Sequence, residues 1–190
     1  MTFKPLLLSA AIAATSGFAV SALAADYEID PSHSFVNFKV QHLGYSWLTG
    51  RFNGVSGTLK YDAAAPADGA INVSVDTKTI DSNWAERDKH LRSADFLDVE
   101  KFGVATFRST GFKGDANGGR LSGVLSLHGV EKPIELDVKK IGEGPDPWGG
   151  YRAGFHATYT LTRKDFGMEY DLGPAANTVE LEIGIEGIRK

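Results

Sequence analysis

The chain contains no cysteine. Disulfides, thiolate metal ligands and a cysteine nucleophile are thereby excluded, so burial and hydrogen bonding alone must hold the fold. Basic charge is also scarce: 20 Lys and Arg stand against 24 Asp and Glu, for a formal net charge of −4. Nucleic acid is therefore not an expected partner, because phosphate binding rests on a basic surface. The histidines at 33, 42, 90, 128 and 156 include no closely spaced pair of the kind zinc sites use, so no metal is expected. Gly54-Val-Ser-Gly57 lacks the last glycine of a nucleophile elbow, and the prolines within 142–150 remove amide donors that a phosphate loop needs. No catalytic residue is assigned.

Long apolar runs are missing except at the start, where Leu6 to Val20 follows Lys4 and leads to Ala22-Leu23-Ala24. Small residues at 22 and 24 predict a secretory signal peptide over 1–24, with cleavage before Ala25. Loss of Lys4 takes the net charge from −4 to −5. Residues 25–190 then form one domain, long enough to bury about 68–70% of the unfolded surface.

What is present from residue 34 onward is a period of two. Val36, Phe38 and Val40 alternate with Phe35, Asn37 and Lys39; Val55, Gly57, Leu59 and Tyr61 follow, then Ile71, Val73 and Val75. The same spacing returns in Leu121 to Leu127, Ile134 to Val138, Tyr151 to Leu161 and Val179 to Ile185, with a less regular strand over 104–112. Such alternation marks strands with one dry face. About eight strands with hairpin-length connections predict an antiparallel sheet closed into a barrel that hides its edges. A barrel of this size either fills its interior or holds one small ligand. Gly57, Gly123, Ala153 and Ala157 among the large inward residues leave room for a ligand, or mark bulges and bends.

One charged segment, Asn83 to Leu97, departs from the strand pattern. Asn83 with Glu86 predicts an N-cap, and Glu86 with His90 and Asp88 with Arg92 are acid-before-base pairs at i,i+4. Trp84, Leu91 and Ala94 form a narrow apolar stripe, which predicts a helix from Trp84 to Ala94 across the barrel. It is either a lid or a plain crossover whose charges are solvated.

At the strand ends stand Asp30-x-x-His33-Ser34, Phe38-x-Val40-x-His42-x-Gly44, Gly50-x-Phe52, Arg87-Asp88-x-His90-Leu91-x-Ser93-x-Asp95-Phe96, Leu127-His128-Gly129-Val130-x-Lys132-Pro133 and Asp165-Phe166-Gly167. In this order they resemble the YceI-like family of polyisoprenoid-binding proteins. The departures are Phe102-Gly103, where the family has proline after the aromatic residue, and Met168, where it has Ile. The resemblance implies a lipocalin-like eight-stranded barrel with the helix as lid, exported to the bacterial periplasm and holding a polyprenyl lipid or isoprenoid quinone, with no cofactor required. It implies a cavity lined by Phe38, Val40, Leu59, Val73, Leu125, Leu136, Phe155, Tyr159, Leu181 and Ile183. The head group would sit at a mouth formed by His42, Tyr45, Trp84, Arg87, His90, Leu91, Arg92 and Asp95. Transient membrane contact for ligand exchange is expected, and a homodimer is left open. Two alternatives remain: an enzyme acting on an isoprenoid or amide-type lipid, and an interaction protein of the envelope stress response built on a solid barrel. Cleavage before Ala25 is checked by N-terminal sequencing of the periplasmic fraction; a chain that begins at Met1 there refutes the leader.

Overall fold

The structure is a computed structural model that describes residues 24–190; the expected leader, except for Ala24, lies outside the described residues. The alternating stretches form β1 (Ala25–Ile29), β2 (Phe35–His42), β3 (Ser46–Tyr61), β4 (Ala70–Asp81), β5 (Val104–Asp115), β6 (Gly118–Leu127), β7 (Val130–Pro145), β8 (Tyr151–Thr162) and β9 (Thr178–Arg189), with helix α1 (Ala85–Arg92) between β4 and β5. All pairings are antiparallel, in the order β3-β2-β9-β8-β7-β6-β5-β4, and β4 pairs back onto β3. The sheet is therefore a closed barrel, as the alternation predicts.

The five residues of β1 have no counterpart among the expected strands. They share a lane with β2: both pair with β3 on one side and β9 on the other, as in Tyr27↔Leu59 and Ile29↔Gly187 for β1, and Phe38↔Gly50 and Phe38↔Leu181 for β2. Nine strands thus fill eight positions.

Three bulges explain where the alternation looked imperfect. The register slips between Phe52 and Gly54, between Ser109 and Gly111, and between Lys140 and Gly142. An extra residue reverses which face the following side chains occupy. Phe52 and Leu59 therefore line the same interior although one is even and the other odd, and so do Phe107 and Phe112. β3 starts at Ser46, not at Gly54; only a tight turn interrupts the pattern, with Leu43 and Gly44 at φ 53° and 80° and the Tyr45 amide donating to His42 O at 2.9 Å. Three of the strand glycines are covered rather than void. A Cβ at Gly123 would stand 2.3 Å from the Phe107 ring, one at Gly50 2.3 Å from Phe38, and one at Gly184 2.4 Å from Phe35. In each pair an aromatic ring covers the glycine of the neighbouring strand.

The lane shared by β1 and β2 is broken at Asp30-Pro31-Ser32-His33-Ser34, and the break is held by charge. Asp30 accepts from Ser32 N at 2.9 Å and from Ser32 Oγ at 2.6 Å, and His33 Nδ1 lies 2.8 Å from its Oδ2. Arg152 Nη1 on β8 reaches the same carboxylate at 2.7 Å and also contacts Glu186, while its Nε donates to Asp146 at 3.0 Å. Hydrogen bonds from Ser32, and then from Arg152 and His33, hold the buried Asp30 carboxyl far below the usual carboxylate range. A depressed folded pKa means that Asp30 stabilises the protein fully above the unfolded value near ~3.9. That contribution is lost as pH falls below it toward the folded value. Asp30→Asn should cost about 1–3 kcal/mol at neutral pH, since hydrogen bonds to a charged group are removed. The variant should also lose less stability than the wild type between about pH 5 and pH 2. Denaturation midpoints across that range check both, and parallel acid profiles would refute the assignment.

Candidate functional site

The interior is not filled. A cavity of about 300 Å³ runs through the barrel, whereas one water needs roughly 10–15 Å³ on the same scale, so this is more than a packing defect. Its wall is almost wholly apolar. Nine of the ten side chains expected there line it: Phe38, Val40, Leu59, Val73, Leu125, Leu136, Phe155, Leu181 and Ile183. Tyr159 instead packs with Ile134, Leu136 and Ala157. Sequence reading missed Phe52, Phe107 and Phe112, whose phase the bulges alter, and Leu97, Arg163, Met168 and Leu172, which come from irregular connections with no period to read.

The two ends of the cavity differ. At one end the wall passes through Lys60, Ala70 and Asp115, which are exposed, beside the β3–β4 and β5–β6 connections. At the other end Phe96, Leu97, Met168 and Arg163 are buried and close the barrel. The cover there is made less by α1 than by the segments that follow β8 and α1. His90 stacks edge-on against Phe96 and Tyr170, at 4.9 and 5.2 Å between centroids, and so ties the helix to both.

Of the eight residues expected at a mouth, only Leu91 lines the cavity. His42 and Tyr45 sit at the exposed β2–β3 tip, and Trp84 is 61% exposed rather than turned inward. Arg87 Nε donates to Ser82 Oγ at 2.7 Å, Arg92 Nη1 donates to Ile80 O at 3.3 Å, and His90 Nε2 lies 2.9 Å from Asp95. The expected Asp88–Arg92 and Glu86–His90 pairs are replaced by these bonds. Nor does Asn83 cap the helix. It lies one residue earlier at φ 67°, and Trp84 is the N-cap, without a side-chain cap bond. Buried Asp88 does the anchoring by accepting from the Ser82 amide at 2.8 Å and from Ser82 Oγ. A buried acceptor that bonds backwards to the end of β4 cannot be told from a solvated charge by spacing alone.

A domain family described as YceI-like matches residues 27–187. The chain belongs to the YceI-like family. A UPF0312 protein of Shewanella baltica is 53% identical over 190 residues, covering 98% of this chain and 100% of the relative. Among solved structures, Burkholderia cenocepacia BcnA superposes with a TM-score of 0.74 at 20% identity, covering 83% of this chain and 98% of its own. A domain from Saccharophagus degradans, described as polyisoprenoid binding and implicated in plant cell wall breakdown, gives 0.65 at 19% identity, covering 89% and 100%. At these identities the two structures show the shared fold.

In this YceI-like barrel several of the motif residues build the covered end rather than touch the cavity. His128, at φ 51° in the β6–β7 turn, places Nδ1 2.9 Å from Phe166 O and stacks on Phe102 at 4.7 Å, and Lys132 pairs with Asp165 at 3.3 Å. Asp30, His33 and Glu186 bring ligand-type atoms within 4.8 Å of one another, but Arg152 already contacts both carboxylates, so the cluster is an ion-pair network.

Polar groups on the cavity wall are few. Near the exposed end, Lys140 Nζ pairs with Glu143 at 2.9 Å beside Tyr61, whose buried hydroxyl has no partner among the described residues. At the covered end, Arg163 donates from Nε to Ala176 O at 2.8 Å and from Nη2 to Tyr170 O at 3.1 Å, while its buried Nη1 has no partner among the described residues. Burial pulls the Arg163 pKa below its ordinary value, offset only through space by Asp171 and Glu169. The contrast within α1 is testable. Asp88→Ala should destabilise by about 1–3 kcal/mol, because the buried Ser82 amide loses its acceptor, whereas exposed Trp84→Ala should stay within about 0.5 kcal/mol. Urea midpoints measure both, and the reverse order would make Trp84 the helix anchor.

Proposed function

We propose that the protein binds and carries an isoprenoid lipid, a polyprenyl or isoprenoid quinone chain, in the periplasm. The observation that carries this reading is the apolar cavity of about 300 Å³, at the lower end of the ~300–1,000 Å³ typical of small-molecule sites. The description of the Saccharophagus degradans domain as polyisoprenoid binding supports the ligand class, and the leader read in residues 1–24 supports the compartment. A filled interaction barrel does not fit an interior with this much free space.

Burying an apolar chain is worth about 0.8 kcal/mol per CH₂ against water. A bilayer offers the chain the same relief, so transfer from membrane to barrel is close to neutral, and the protein can both load and unload. Exchange then needs brief contact with a bilayer. Trp148 and Ile141, exposed near the end of the barrel where the cavity wall meets solvent, are apolar groups available for it. Ile141 is the extra residue of the β7 bulge, which turns it away from the interior.

The test is mass spectrometry of an organic extract of protein purified from a Gram-negative periplasm, which should contain lipid of isoprenoid mass. Leu125→Trp and Ile183→Trp place a ring in the cavity and should remove most of that lipid. The delipidated variants should remain within about 1 kcal/mol of wild type, because free space accepts the ring, whereas a filled core would lose about 1–3 kcal/mol. Lipid-free extracts, or retained lipid with clear destabilisation, would overturn the carrier reading.

A further inference from the structure

We infer that the covered end of the cavity is a subsite for the ligand's polar head: Arg163 Nη1 donates to a ligand oxygen, with the chain running from there toward the exposed end. This rests on the lipid-carrier reading and adds to it the head chemistry and the direction of insertion.

Arg163 is 5% exposed and lines the cavity. It is the buried cation of the covered end, with the Phe96 ring 5.9 Å away and no carboxylate at salt-bridge distance among the described residues. Arg152, the other well-connected arginine, shows what a satisfied guanidinium looks like here, with Asp30, Asp146 and Glu186 around it. Backbone oxygens of Ala176 and Tyr170 fix the plane of the Arg163 guanidinium from one side and leave Nη1 over. A buried, unpaired charged donor is costly unless an acceptor meets it. Among the described residues, Arg163 is part of the wall of the cavity, which is the ligand-sized space inside the barrel. Tyr61 also has an unpaired hydroxyl, but it is neutral and lies toward the exposed end near Lys140, so it places a weaker demand on the ligand.

A phosphate and a quinone carbonyl both carry an acceptor oxygen, and a guanidinium suits either. A hydrocarbon end supplies nothing. Three farnesyl-chain probes separate these cases when each displaces a hydrophobic fluorophore from delipidated protein: farnesyl phosphate, a farnesyl-substituted benzoquinone, and farnesene. Wild type should bind at least one oxygen-bearing probe about tenfold or more tighter than farnesene. Which of the two is preferred distinguishes phosphate from carbonyl. Arg163→Leu should erase that preference while binding farnesene at least as well as wild type does. Arg163→Lys should keep part of the preference for phosphate. In arginine-labelled wild type, the Arg163 side-chain N–H resonances should shift with the preferred probe and not with farnesene, a readout that stands even if Arg163→Leu fails to fold. Equal affinity of wild type for all three probes, or an equal loss for all three in Arg163→Leu, would overturn the subsite and leave the carrier reading intact. Failure of every probe to displace the fluorophore from wild type would remove the carrier reading itself.

Discussion

The hydrogen bonds between β3 and β4 are the constraint on which the rest depends. Val55↔Val75 and Leu59↔Ile71 join the two ends of an otherwise open sheet, so no edge remains and the circumference is set at eight positions. Inside that ring the space is filled where large side chains meet, around Ile29, Val55 and Phe166, and is left open where they do not. A core of helices could slide to close such a gap. A closed ladder can shrink only by giving up paired backbone groups, so the apolar void persists as a property of the fold.

Period-two alternation made most of this legible. It located eight of the nine strands and nine of the ten wall residues, because in a closed sheet the face of a side chain follows from its parity. Parity fails at bulges, which is why Phe52, Phe107 and Phe112 were missed. β1 was missed for another reason. Its five residues carry only Tyr27 and Ile29 inward, and nothing local says that they continue the lane of β2 across a polar break.

The charged segment was read least well, and side-chain direction is the cause. Spacing put Asp88 opposite Arg92 and Glu86 opposite His90, as on an isolated helix. In the folded chain Ser82, Ile80 O and Asp95 are nearer partners, and the helix turns Trp84 outward. The expected mouth residues sit at the covered end, around α1 and the β2–β3 tip, and of them only Leu91 lines the cavity. The residues that close this end, Phe96, Leu97 and Met168, lie outside any regular element, so no period announces them.

The same distinction separates half-buried Arg152 from buried Arg163. Arg152 is matched by three carboxylates from separate parts of the chain, Asp30, Asp146 and Glu186, and its charge is absorbed in holding the strand break. Arg163 is matched by two backbone oxygens and keeps a donor over. In an apolar cavity that competes with a bilayer on nearly equal terms, chain burial cannot select a ligand, because every apolar chain gains about the same. Selection must come from the few polar atoms on the wall. A guanidinium fixed in place by Ala176 O and Tyr170 O needs little reordering to receive an oxygen. Its discrimination therefore adds to a chain-burial term that is close to zero, and a modest polar preference suffices to decide which lipid leaves the membrane with the protein.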